Sequence, residues 1–238
     1  MMQFLTAVTI IIPMIFAIVF HEVAHGLVAR WLGDPTASER GRLSLNPLRH
    51  VDLFGTIILP GLLFFAHAPV FGWAKPVPVN PWRLRGGRQG MMLVAIAGPA
   101  TNLLLAGLAA VGLGLVVRFA GPPGAGAVLT GWPGFVADSC VWFLQINLGL
   151  ALFNLLPVPP FDGSHIVEGL LPTPLADAYA RLRRFGMLLI VLLVVVLPSV
   201  LGVSLVARWI DPPFAWMFDH YMMLAEHVAG VSRGVGGG

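Results

Sequence analysis

Residues 4–31 read FLTAVTIIIPMIFAIVFHEVAHGLVARW. From Phe4 to Phe20 the run carries no charge, and His21, Glu22 and His25 then continue it without a break. A helix needs about 20 mainly apolar residues to cross a bilayer, so this stretch predicts a membrane-spanning helix. On a helix, positions i and i+4 share a face, so the imidazoles of His21 and His25 can grip one metal ion. Glu22 lies between them, close enough to take a proton from water at that ion. A shuffled chain of this composition contains the H-E-x-x-H pattern about 0.003 times. Ionisable side chains at membrane depth are costly and are kept for function, which disfavours a mere pair of helix-end histidines.

The rest of the 238-residue chain agrees with a membrane setting. Hydrophobic residues make up 57% and charged residues 11%, with a mean hydropathy of +0.85. A soluble domain is about 25% charged, so too few charges are present to cover a wetted globule. That excludes an ordinary cytosolic enzyme, a disordered chain and a nucleic-acid partner. The net charge of +3 reports membrane orientation instead. One cysteine, Cys140, excludes disulfide frameworks and Cys-rich zinc modules, leaving His and carboxylate as metal ligands.

Working outward, four spans are expected: Phe4 to about Trp31, Met91 to Phe119, Phe135 to Leu156, and Phe185 to about Trp209. The first lacks a basic leader and a cleavage site, so it reads as a retained helix. A shorter apolar stretch, Phe54–Ala66, contains Gly55, Pro60 and Gly61 and reads as re-entrant, either a β-hairpin or a broken loop. The tail from Asp211 reads as an interfacial amphipathic helix. The fold class expected is therefore an all-α polytopic membrane protein with short amphipathic helices. Residues 1–230 form a single membrane-embedded domain, and 231–238 form a disordered tail. Arg40, Arg42, Arg49, Lys75, Arg83, Arg85 and Arg88 follow the first span, and Arg181, Arg183 and Arg184 precede the fourth, whereas 120–134 has no Lys or Arg. The positive-inside rule places 32–90 and 157–184 in the cytoplasm and both termini outside.

Catalytic zinc takes three protein ligands and keeps one position open. The third ligand must come from outside the helix, and by chemistry His50, Asp52, Asp162, His165 and Glu168 are candidates. Asp162 follows the third span after Pro157, Pro159 and Pro160, on the side where the first helix ends. Spacing alone leaves both Asp162 and His165 open. Asn46, His50 and Asp52 read either as a capped cytoplasmic turn or as polar groups behind the metal ligands or on the substrate side. Lys75-Pro76-Val77-Pro78 reads as an extended structural loop, and Gly98-Pro99 as a kink. Asn102 is either an interhelical hydrogen-bonding group or part of the active site. His165 and Glu168 are placed on a short helix starting at Ser164, facing solvent or lying behind the metal ligands.

Five segments carry a resemblance: HEVAH at 21–25, NPLRHVDLFGT at 46–56, FGWAKPVPVNP at 71–81, AGPATN at 97–102 and NLLPVPPFDGSHI at 154–166. In this order they resemble the site-2 protease family of intramembrane zinc metalloproteases (the M50 peptidases), in its compact bacterial subgroup without PDZ or CBS domains. The resemblance implies Asp162 as third ligand of one Zn²⁺, Glu22 as general base and Asn154 near the metal. Phe161 stands where the family usually has Leu, and Ser164 where a second Gly is usual. The implied activity is hydrolysis of peptide bonds in or near the transmembrane segments of single-span or signal-peptide-like substrates, within a bacterial cytoplasmic membrane. The substrate would unwind and pair with Gly55–Phe65 as an added strand. The competing reading is a non-catalytic membrane zinc-binding or carrier protein, which would not need Glu22 between the histidines.

Overall fold

The computed structural model describes residues 2–58, 61, 62, 65, 73–120, 129–202 and 204–231. Much of the expected re-entrant stretch and nearly all of the expected disordered tail lie outside these residues.

Four helices are long and apolar enough to cross a membrane: Thr9–Trp31, Gly87–Ala120, Gly131–Asn154 and Thr173–Val200. They belong to α1 (Met2–Trp31), α2 (Gly87–Ala120), α3 (Gly131–Asn154) and a composite run. Between α3 and that run lies the short α4 (Asp162–Leu170). The composite run opens with α5 (Thr173–Ala180), tightens to a 3₁₀ turn at Arg181–Phe185, and continues as α6 (Gly186–Val191). A π-helical turn at Leu192–Val196 leads into α7 (Leu197–Leu201). Last comes α8 (Leu205–Ala229), the helix expected of the tail. Among the described residues there is no β-strand.

Several boundaries differ from expectation, among them the start of the fourth span, which lies at Thr173 rather than Phe185. The fourth span does not run on to Trp209. It stops at Gly202, which sits at φ 64° as a left-handed C-cap, with its N–H 2.9 Å from the Pro198 carbonyl. Glycine tolerates that conformation because it has no Cβ, so Leu205–Trp209 are free to open α8. The third span ends at Asn154 rather than Leu156. The re-entrant stretch begins as a π-helical turn, Leu53–Ile58, rather than a strand. Its Gly55 carbonyl already accepts from Trp73 N–H at 3.1 Å, so it does not serve there as a vacant strand edge.

The chain divides into two compact units. One comprises Met1–Ala17, Asn102–Leu152 and Ile210–Gly238. Its core joins Ala106, Ala109, Ala110 and Leu113 of α2 to Leu144 and Leu148 of α3 and Ala225 of α8. Small side chains let helices approach closely where water provides no driving force. Two buried asparagines lock this packing: Asn102 Nδ2 donates to Asn147 Oδ1 at 2.8 Å and to the Ala17 carbonyl at 3.2 Å. Asn102 is thus an interhelical hydrogen-bonding residue. The opposite side of α2 leaves Leu104, Leu108 and Phe119 exposed, an apolar surface suited to lipid.

The other unit comprises Ile18–Thr101 and Phe153–Trp209. Its core packs Ala29 of α1 and Val94 of α2 with Leu84, flanked by Val79 and Met91. Arg85 closes the C-terminus of α1, donating to the Trp31 carbonyl at 2.6 Å, where a cation suits the helix dipole. Every residue of the site described next belongs to this unit.

Candidate metal centre

The i, i+4 spacing on α1 brings the two imidazoles together. His21 Nε2 and His25 Nε2 are 3.0 Å apart, and both rings are buried. Helix α4 begins at Asp162, two residues earlier than expected. Its first turn presents Asp162 Oδ2 to His21 Nε2 at 3.2 Å and to His25 Nε2 at 3.3 Å. A helix N-terminus favours a carboxylate. Burial raises the Asp162 carboxyl, but with no cation present and the imidazoles protonated beside it, their hydrogen bonds and charge outweigh burial and hold it at about 2. The group is therefore ionised at neutral pH.

The donor chemistry fits a divalent cation. His25 Nδ1 lies 2.7 Å from the Val94 carbonyl, which can only accept, so Nδ1 carries the proton. In the neutral ring Nε2 then offers a lone pair, aimed at a second imidazole nitrogen and a carboxylate oxygen. Asp162 Oδ2 is buried with no hydrogen bond of normal geometry among the described residues. Three electron-rich atoms facing one another repel unless a cation lies among them. Ligands about 2.0–2.1 Å from a tetrahedral zinc sit roughly 3.3 Å apart, close to the spacing found here. Two His and one carboxylate is also a known catalytic zinc set. Among the described residues, His21, His25 and Asp162 are the group whose ligand atoms converge in this way.

A cavity of ≈ 310 Å³ opens on these three residues. Glu22, Asn154 and His165 line it, with Val79, Met91, Val94, Ala95 and Pro160 as its apolar wall. Glu22 Oε2 accepts from the backbone N–H of Val77 at 2.7 Å, which orients the carboxylate. His165 stands one turn beyond Asp162 on α4 and lines the cavity, rather than facing solvent. Burial and the Arg183 guanidinium push its imidazole down to about 4, so it is neutral at neutral pH. Glu168 pairs with Arg183. His50 is buried, with Nε2 2.8 Å from the Ser44 carbonyl, and Asp52 caps Phe54 and Gly55; neither belongs to the converging group.

Sequence reasoning missed three contributions. A Cβ built on Gly98 would fall within 2.6 Å of Cε1 on both His21 and His25, so Gly98 is where α2 makes room for the two rings. Val94 supplies the carbonyl that sets the His25 tautomer. Val77, in a loop read as structural, supplies the N–H that holds Glu22. A missing Cβ at Gly98, a backbone carbonyl at Val94 and a backbone N–H at Val77 leave no mark in side-chain chemistry.

Residues 132–197 match the family model described as peptidase family M50. The chain is 39% identical over 186 residues to "Putative zinc metalloprotease YwhC" of Bacillus subtilis, covering 78% of this chain and 80% of that protein. It is 30% identical over 212 residues to Rip2 of Mycolicibacterium smegmatis, a protein of the same designation, covering 89% and 73%. A third relative so designated, MJ0611 of Methanocaldococcus jannaschii, is 39% identical over 153 residues, covering 63% and 64%. No solved structure matches the chain.

Proposed function

The chain belongs to peptidase family M50, and from that membership we propose that it is an intramembrane zinc endopeptidase of the site-2 type. In this reading His21, His25 and Asp162 hold the ion, Glu22 is the general base and Asn154 lies beside the scissile bond. The observation that carries it is the convergence, within 3.0–3.3 Å, of two imidazole nitrogens from a helix apolar enough to cross a membrane with one carboxylate oxygen from α4.

Zinc, when bound, supplies a Lewis acid that lowers the pKa of water and polarises a carbonyl oxygen. The protein's own residues do the remainder. Glu22 is anchored through Oε2 by Val77 N–H, so its other oxygen can take a proton from the attacking water. The same carboxyl returns that proton to the leaving amine, which would otherwise depart as an unstable anion. The Asn154 amide, in the same cavity, donates to the developing oxyanion or orients the peptide. Val94 holds His25 in the tautomer that presents Nε2. The apolar wall of Val79, Met91, Val94, Ala95 and Pro160 suits an unwound segment of a membrane helix and displaces water from it.

The substrates proposed are single-span membrane proteins or signal-peptide-like remnants in a bacterial cytoplasmic membrane. The basic connections 32–90 and 157–184 support a site towards the cytoplasmic side. The test is cleavage of an end-labelled single-span peptide by protein purified in detergent, with zinc counted per chain. Glu22→Gln keeps its zinc and loses at least about 10²-fold in rate, the usual scale of general-base catalysis. Undiminished cleavage by that variant discards the mechanism, and a wild-type protein that binds no zinc discards the centre.

A further inference from the structure

The loop that holds Glu22 is itself held. Between Lys75 and Pro78 only Lys75 and Val77 have backbone N–H groups, since proline has none. Lys75 N–H donates to the His50 carbonyl at 2.8 Å, and Val77 N–H donates to Glu22 Oε2 at 2.7 Å. The carbonyls of the same loop are taken by one side chain. Arg42 Nη2 donates to the Lys75 oxygen at 2.6 Å and to the Pro76 oxygen at 3.4 Å.

The Pro76 carbonyl and the Val77 N–H belong to one planar peptide unit, and in a trans peptide they point in opposite directions. Arg42 and Glu22 therefore grip the two ends of a single rigid plate, a cation at its oxygen and a carboxylate at its hydrogen. A positive charge at the oxygen polarises the unit and strengthens the N–H as a donor. Arg42 is only 9% exposed, and among the described residues it forms no salt bridge. Burying a guanidinium against carbonyls alone is costly, so geometry rather than stability explains its presence. A single nitrogen, Nη2, meets both successive carbonyls, the Lys75 oxygen closely and the Pro76 oxygen at the long end of hydrogen-bond distance.

We propose that Arg42 is a positioning residue for Glu22, acting through the Pro76–Val77 peptide unit. The inference rests on Glu22 being the general base, and it goes beyond that reading by assigning what aims the base. Among the described residues no hydrogen bond or ion pair joins the Arg42 side chain to His21, His25 or Asp162. Removing that side chain frees the plate to tilt, so the carboxylate loses its fixed direction while the metal ligands stay in place.

The experiment compares the wild type with Arg42→Ala, Arg42→Lys, Val77→Pro and Glu22→Gln, using the same end-labelled single-span peptide in detergent. Val77→Pro deletes the N–H that holds Glu22 and replaces one buried apolar side chain of the cavity wall by another, at a position already held extended by the proline that follows it. Arg42→Ala and Val77→Pro are expected to keep one zinc per chain and a KM within about twofold, and to lose about 10- to 100-fold in kcat, the scale of a misplaced catalytic group. Arg42→Lys recovers part of the loss, and guanidinium ion added to Arg42→Ala recovers more, whereas neither agent revives Glu22→Gln. If Arg42→Ala does not fold, Arg42→Lys and Val77→Pro carry the comparison. Wild-type kcat in the Arg42 variants, or loss of zinc along with activity, overturns the assignment. Should Glu22→Gln be inactive while the Arg42 variants cleave normally, only this inference fails. Should Glu22→Gln itself cleave, the general-base reading fails instead.

Discussion

A single methyl group tests the metal centre. Gly98 was legible only as half of a Gly-Pro kink, because a side chain's absence has no chemistry to read. In the structure it is the surface against which His21 and His25 lie, with Cε1 of each ring within 2.6 Å of where a Cβ would stand. Gly98→Ala must push the rings apart or push α2 away. It is expected to cut zinc affinity by about 10- to 100-fold, as loss of ligand support does elsewhere. Zinc per chain after dialysis reads this directly, and cleavage falls with the metal. Glu22→Gln does the opposite, losing cleavage with the metal kept, so together the two variants separate building the centre from using it.

At the scale of elements, the end of α1 is tied to the loop that approaches the site. Asp34 is fully buried. Its Oδ1 accepts from Thr36 N–H at 3.0 Å and Thr36 Oγ1 at 2.5 Å, and its Oδ2 from Asn80 N–H at 2.6 Å. Burial opposes the charge, but these hydrogen bonds outweigh it and lower the Asp34 pKa. The stability it contributes is fully present above the unfolded carboxylate value of about 3.9 and is lost as pH falls through the lower folded value. Asp34→Asn leaves Asn80 N–H facing an amide. It is expected to cost about 1–3 kcal/mol at neutral pH, the scale for a buried orphaned donor. The gap to wild type narrows below about pH 4, and thermal unfolding in detergent across pH 3–7 measures it. The pattern was hidden because Asp34 and Asn80 are 46 residues apart in the chain and no spacing or periodicity links them.

At the scale of the whole molecule, the sparse charge and the four long apolar helices make the bilayer part of the solvent, while the metal bears on the stability of one unit. Chelation is expected to abolish cleavage and zinc to restore it. Tm rises with free zinc, since a ligand present at 100 times its Kd adds about 2.7 kcal/mol to the folded state. A carrier protein would share that thermal response but show no cleavage for the chelator to remove. Activity and Tm followed together in one zinc titration make the distinction.

Span number, the helical class and the His21-Glu22-His25 face were determined by the sequence alone. Each depends on properties that accumulate along a short stretch: hydropathy over about 20 residues, or a repeat that matches the helical turn. Helix ends and partners depend on what lies across the fold. Residue spacing left Asp162 and His165 open, and the family resemblance favoured Asp162. In the structure α4 starts at Asp162 rather than Ser164, so its first residue converges with the histidines and His165, one turn on, lines the cavity instead. Gly202 ended a run that hydropathy would have carried on to Trp209, because one left-handed residue turns a chain without altering its composition. The backbone groups that orient the site, Val94 C=O and Val77 N–H, were decided by the tertiary structure. Every residue but proline carries such an N–H and C=O, and only packing determines which of them face a carboxylate or an imidazole.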